Sequence, residues 1–221
     1  MFEAVIFDWD GTLADTRKVI LASFHKALRD TLNCDATDEF IERRIGVGAA
    51  GTFREILLEK GISFDDALIK RLVEVKVQVE IEKTNEAELF EGAQELLESL
   101  KGKVKLALAS MNNRDVIDHM LNELKVREFF SVVLTGDEVT KSKPDPEIFL
   151  KSALKLGTRP NKCVVVEDSI FGVKAAKAGK MGCVAVLTGV YSKEELGKAN
   201  PDLIVDSLKE KANILRFILG Q

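Results

Sequence analysis

The chain reads as an α/β protein: an open parallel sheet with helices on both faces, carrying a helical unit inserted after the first strand. Three observations predict this. Short runs of β-branched and other apolar residues recur along the chain, several of them unbroken, as in strands covered on both faces. Helical patterns with one apolar stripe lie between the later runs, and strands alternating with helices build parallel sheets. About 90 residues separate the first run from the second, far more than one crossover helix needs.

The first strand is AVIF, Ala4–Phe7. The insert follows, with three amphipathic helices and no convincing strand. Residues 16–32 align Ile20, Phe24, Ala27 and Leu28; residues 50–60 align Phe53, Ile56 and Leu57; residues 67–82 align Leu68, Leu72, Val75 and Val79. The segment ELFEG (88–92) returns the chain, and a helix over 92–100 crosses to the second strand, VKLALAS (104–110). A helix over 113–124 precedes the strand SVVLTG (131–136), and one over 146–156 precedes KCVVVEDS (162–169). A small-residue helix over 170–177 stops near Gly179, before the runs CVAVLTG (183–189) and DLIVDS (202–207). The expected division is a core of residues 1–14 and 89–221, with a helical cap over 15–88.

Composition narrows the function. Lys and Arg number 32 against 36 Asp and Glu, a net charge of -4, with no basic excess of the kind that marks nucleic-acid binding. No stretch reaches the roughly 18–20 apolar residues that cross a bilayer. Glu3, Asp8 and Asp10 interrupt the first apolar run, so it does not read as a secretion signal. Cys34, Cys163 and Cys183 form no CxxC pair and no closed disulfide set, and the cytoplasm is the expected compartment.

In an open parallel sheet, ligands bind beyond the carboxyl ends of the strands. There the sequence places Asp8, Asp10, Gly11 and Thr12 after the first strand, and Ser110, Met111 and Asn112 after the second. Lys141, Lys143 and Asp145 follow the third; Glu167, Asp168 and Ser169 follow the fourth. Taken singly, these have ordinary readings: a D-x-D turn, a solvated Lys-Pro turn, a helix N-cap at Asp168 or Ser169. Taken together, clustered carboxylates suit a hard divalent cation such as Mg²⁺, and Lys143 and the Ser110 hydroxyl suit phosphate oxygens. Such a set stabilises charge on a transferring phosphoryl group. His25 and His119 fall in helical patterns away from these ends and read as packing or surface residues. Trp9 reads as core. Gly46, Gly48 and Gly51 mark either a substrate-facing loop or a plain helix–helix turn.

The segments DWDGTLADT (8–16), LALAS (106–110), KSKPDPEIF (141–149) and VVVEDSIFGVKAAKAG (164–179) resemble, in order and across nearly the whole chain, the four motifs of the haloacid dehalogenase-like hydrolases. The insert resembles the small cap of the branch containing phosphoglycolate phosphatases and β-phosphoglucomutases. The resemblance implies an aspartyl-phosphate chemistry on a small phosphorylated metabolite. Asp8 would be the nucleophile and Asp10 the acid and base. Ser110, Lys143 and the backbone N–H groups of Trp9 and Asp10 would hold the phosphoryl group, and Asn112 would add a contact. Mg²⁺ would sit on Asp8, the Asp10 carbonyl and Asp168, with Glu167 beside it or reaching it through water. The mutase group typically has a histidine where Ile20 stands and an arginine where Ala49 stands, which favours a phosphatase. A phosphomutase and a non-catalytic phosphate-binding module are the alternatives.

Overall fold

The structure, a computed structural model, describes residues 1–220. The first strand, β1 (Ala4–Phe7), leads through a two-residue strand, β2 (Ala14–Asp15), into four helices: α1 (Arg17–Leu32), α2 (Asp38–Glu42), α3 (Ala49–Glu59) and α4 (Asp66–Glu82). A second two-residue strand, β3 (Glu88–Leu89), pairs antiparallel with β2. The chain then alternates: α5 (Ala93–Leu100), β4 (Lys105–Ala109), α6 (Arg114–Glu123), β5 (Val132–Leu134), α7 (Glu147–Lys155), β6 (Cys163–Glu167), α8 (Ile170–Ala178), β7 (Gly182–Val186), α9 (Lys193–Lys198), β8 (Leu203–Val205) and α10 (Lys211–Leu219).

Six strands form one parallel sheet in the order β5-β4-β1-β6-β7-β8. Side chains of a strand alternate between its faces, and both faces here are covered. Val5, Phe7, Val164 and Val166 point to one core, with α5, α6 and α10 packed on it through Leu96, Ile117, Met120 and Ile214. Ala4, Ile6, Cys163 and Val165 point to the other, under α7, α8 and α9 through Phe149, Val173 and Leu196. This double burial is why the strands read as unbroken apolar runs rather than alternating ones. With β1 central and its neighbours β4 and β6 in register, Phe7 lies beside Leu108 and Val166, so the residues that follow all three strands emerge at one edge.

Helices α1–α4 bury a separate cluster, in which Phe24, Leu28, Ile41, Phe53, Leu57 and Leu72 meet. Caps fix two of their starts: Thr37 Oγ1 accepts from the Phe40 N–H at 3.3 Å, and Asp65 Oδ1 accepts from the Leu68 N–H at 2.9 Å. The expected helices over 16–32, 50–60 and 67–82 are present, while the strand pair β2–β3 and the short α2 were not expected. The stripe expected on α4 keeps Leu72 and Val79 buried, while Leu68 and Val75 pack only partly buried on the same cluster. The inward residues of α4 are Ile69, Leu72, Lys76, Val79 and Glu80, so two charged side chains lie on the face expected to be apolar. Among the described residues no helix is long and apolar enough to cross a membrane.

Candidate active site

Asp8 is the first residue beyond β1. Its N–H donates to the Val166 carbonyl at 3.0 Å, which holds it level with the end of β6. Glu167 ends β6 and Asp168 follows it. One carboxylate oxygen from each of Asp8, Glu167 and Asp168 lies within 4.8 Å of the others, and all three residues are buried. Lys143, from the loop before α7, reaches the same point. Its Nζ is 2.5 Å from Asp8 Oδ1 and 2.6 Å from Glu167 Oε1. The other oxygen of Glu167 accepts from the Ser169 N–H at 2.8 Å and from Ser169 Oγ at 2.9 Å. Ser169 Oγ in turn accepts from the Gly172 N–H at 3.0 Å, so Ser169 is the N-cap of α8 as well as a site residue. Thr12 Oγ1 donates to Asp168 Oδ1 at 2.9 Å.

Asp10 stands apart from this group. Thr16 Oγ1 donates to its Oδ1 at 2.8 Å, and Ser110 Oγ donates to its Oδ2 at 3.0 Å. Ser110 Oγ also accepts from the Asn112 N–H at 3.0 Å, and Asn112 Oδ1 takes the Lys76 Nζ at 3.4 Å. Trp9 is fully buried, its indole N–H directed at the Met120 sulfur 3.3 Å away, so its side chain turns from the carboxylates into the core. The two aspartates of the D-x-D step thus face different neighbours across one turn, and Gly11, at φ +86°, makes that turn.

Electrostatics follow from burial. Desolvation pushes the Asp8 and Asp168 carboxyls above the ordinary range, and the nearby Glu167 charge adds to it. Burial opposes the charge on Lys143, but Asp8 and Glu167 outweigh it and hold the ammonium charged. Burial also raises Asp10, against hydrogen bonds from Thr16 and Ser110 and the charge of Lys76. A single ammonium facing three buried carboxylates leaves negative charge uncompensated. An all-oxygen donor set with that excess fits a hard divalent cation.

A cavity of about 30 Å³, partly open to solvent, lies between the sheet edge and the four-helix unit, lined by Asp10, Met111 and Asn112 on the sheet side and by Ile20, Ala49 and Lys76 on the helical side. Arg43, just after α2, spans the two units: it pairs with Glu195 of α9 at 2.6 Å, and its carbonyl accepts from the Tyr191 hydroxyl at 2.5 Å. The sequence reading did not single out Lys76, Glu80 or Thr16. The i, i+4 pair Lys76 and Glu80 on a helix otherwise read by its apolar residues was the available signal.

Comparison with known proteins agrees with this geometry. Residues 5–186 match the family model described as haloacid dehalogenase-like hydrolase. A phosphorylated carbohydrates phosphatase of Thermotoga maritima is 34% identical, over 94% of this chain and 99% of that protein. A phosphoglycolate phosphatase of Pseudomonas syringae pv. tomato is 27% identical, over 93% of this chain and 76% of that one. Among solved structures, a hydrolase from Pseudomonas syringae superposes with a TM-score of 0.89 at 31% identity, covering 98% of this chain and 99% of its own. A β-phosphoglucomutase from Clostridium difficile does so with a TM-score of 0.81 at 27% identity, covering 98% of this chain and 100% of its own.

Proposed function

The chain belongs to the haloacid dehalogenase-like hydrolases and is a phosphoric monoester hydrolase, and from that premise we propose that it cleaves a small phosphorylated metabolite of the phosphoglycolate kind, dependent on Mg²⁺. The observation that carries the reading is the meeting of Asp8, Glu167 and Asp168 around Lys143 at the carboxyl end of the central strands.

In the first step Asp8 attacks phosphorus. A bond forms between its carboxylate oxygen and phosphorus, and the ester P–O bond breaks. Asp10, whose pKa burial raises, gives its proton to the departing alkoxide. In the second step water attacks the aspartyl-phosphate. Asp10 takes its proton, the new P–O bond forms, and the bond to Asp8 breaks. Lys143, Ser110 and the backbone N–H groups of Trp9 and Asp10 hold the phosphoryl oxygens through both steps, and Asn112 adds a contact. Asp8, Asp168 and the Asp10 carbonyl would hold Mg²⁺, with Glu167 steadied by Lys143 and Ser169 beside them. Bound there, Mg²⁺ would offset negative charge on the carboxylates and on the phosphoryl oxygens. The helical unit acts as a cap that excludes bulk water.

One observation favours hydrolysis over the mutase alternative. Ile20 and Ala49, the positions at which the mutase group carries polar side chains, both line the cavity beside Asp10 and present no polar group to it. The test is phosphate release from a panel of phosphorylated metabolites with Mg²⁺, scored by kcat/KM, with Asp8→Asn as control. The reading expects turnover of small phosphocarboxylates above hexose phosphates and none by Asp8→Asn. Interconversion of hexose phosphates with little free phosphate would instead establish the mutase, and phosphate binding with no hydrolysis the non-catalytic module.

A further inference from the structure

Beyond β7 the chain continues through Thr188 and Gly189, which the chemistry above leaves without a role. Gly189 lies against Asp168, and Thr188 lines the same cavity. A Cβ placed on Gly189 would stand 2.0 Å from Asp168 Oδ2 and 2.8 Å from its Cγ, a hard clash. Gly189 does not have the left-handed φ that Gly11 has at +86°, so backbone conformation does not call for glycine there; the Asp168 carboxylate does. Thr188 Oγ1 donates to the Gly11 carbonyl at 2.6 Å. That bond ties the loop after β7 to the loop after β1, one residue from Thr12, whose hydroxyl holds Asp168 Oδ1 at 2.9 Å.

We infer that the Thr188–Gly189 step is a positioning element for Asp168: Thr188 fixes the loop that carries Thr12, and Gly189 clears the space in which the carboxylate stands. The inference rests on the reading of Asp168 as a cation ligand. A cavity of about 100 Å³ lined by Gly11, Asp168, Thr188 and Gly189 adjoins the carboxylate. Added bulk at 189 therefore has somewhere to push Asp168 other than through the core, so its effect falls on the cation site before it falls on the fold. Neither residue lines the cavity beside Asp10, so the element acts on the cation through Asp168. Partners of this outer kind typically change metal affinity by about 10–100-fold.

The test is Mn²⁺ titration of the full chain, followed by the electron paramagnetic resonance signal of free Mn²⁺, for wild type, Asp168→Asn, Thr188→Val, Thr188→Ser and Gly189→Ala. Gly189→Ala and Thr188→Val are expected to bind Mn²⁺ about 10–100-fold more weakly, and Thr188→Ser, which keeps the hydroxyl, as wild type. The Mg²⁺ concentration for half-maximal hydrolysis should rise by the same factor. Wild-type Mn²⁺ affinity in Gly189→Ala overturns the inference. If that variant does not fold, Thr188→Val decides in the same way. Should Asp168→Asn itself bind Mn²⁺ like wild type, the cation assignment falls first and the inference with it, which separates the two failures.

Discussion

The Lys143 ammonium stands 2.5 Å from the Asp8 carboxylate in a pair closed off from solvent, with Glu167 on its other side. Buried ion pairs are poor sources of stability, because desolvation of both charges consumes most of their attraction. The two partners should respond oppositely to removal. Lys143→Met leaves carboxylates buried without a cation and should cost about 3–5 kcal/mol in urea melts of the metal-free protein. Asp8→Asn removes one of the crowded charges and should raise metal-free stability by about 1–2 kcal/mol while abolishing turnover, the trade expected where a site is built against stability. Equal melting of the two variants would show that the carboxylate group is not under electrostatic strain.

Adding the cation should reverse that deficit. A ligand at 100 times its Kd stabilises by about 2.7 kcal/mol, and a chain of this length gains about 2–4 °C per kcal/mol. Saturating Mg²⁺ is thus expected to raise Tm by about 5–10 °C over EDTA. Asp168→Asn should show a smaller rise, and EDTA should silence the wild-type enzyme. Scanning calorimetry with and without Mg²⁺ checks the first two, and an aryl phosphate assay the third.

What the sequence disclosed follows from which interactions are local. The strands of the sheet are covered on both faces, so AVIF and VVVE stand out as unbroken apolar runs. The placement of Asp8, Asp10, Ser110, Glu167 and Asp168 at one sheet edge was legible because each follows such a run; Lys143 comes from the loop before α7. Strand order was not, since it depends on pairings such as Phe7 beside both Leu108 and Val166. The short α9 and the terminal α10 were missed, although Ile214 and Ile218 carry a helical i, i+4 spacing. Lys76 and Glu80 were hidden by their own charge: a reading that looks for apolar stripes passes over an ion pair in the stripe. The role of Gly189 is invisible without coordinates, because its neighbour in space is a carboxylate from another strand.

Lys76 and Glu80 form such a pair inside the helical unit, Nζ to Oε2 at 2.6 Å, with both residues buried. Lys76 faces Asn112 below it, and its charge is one of the influences that lower the Asp10 pKa. Lys76→Met strands Glu80, whose pKa burial already raises, and should cost about 3–5 kcal/mol. The double variant Lys76→Met/Glu80→Gln should recover most of that loss, a coupling that a double-mutant cycle reads directly. With the Lys76 charge gone, the Asp10 pKa rises, so the pH–rate profile should move to higher pH. An additive cycle with an unmoved profile would place Lys76 outside the electrostatics of the site.

His25 gives the protein a pH-dependent contribution far from the sheet edge. Its Nδ1 faces Asp35, and its Nε2 is 2.7 Å from Asp38 Oδ1. Burial works against the charged ring, but hydrogen bonds and charge from the two aspartates outweigh it and raise the pKa above 6.5. Arg29 shares Asp35 at 2.5 Å. The folded state therefore holds the proton more tightly than the unfolded chain. The contribution is complete below about pH 6.5, the unfolded value, and is lost as pH rises through the folded one. His25→Asn should thus lower Tm at pH 5.5 and converge on wild type in alkaline solution. A constant difference across that range would show that the ring acts by packing alone.

Arg43 clasps the helical unit to the sheet unit, and its loss should loosen that contact without touching the chemistry. Its guanidinium pairs with Glu195 at 2.6 Å and lies 5.0 Å from the centroid of the Tyr191 ring, while the Tyr191 hydroxyl donates to its carbonyl. Hydrogen bonds from Arg43 and from the Ser192 N–H hold the Glu195 carboxyl at about 2, so the pair stays charged through the neutral range. Arg43 and Glu195 are both partly exposed, so solvent screens the ion pair and makes it salt-sensitive. Arg43→Ala should accordingly enlarge the radius of gyration measured by X-ray scattering without substrate and raise KM, more so at low salt. Tyr191→Phe, which removes a single hydrogen bond, should do less. If unit opening limits product release, kcat rises in Arg43→Ala as KM does. Wild-type scattering and KM in that variant would mean that the two units are held together elsewhere.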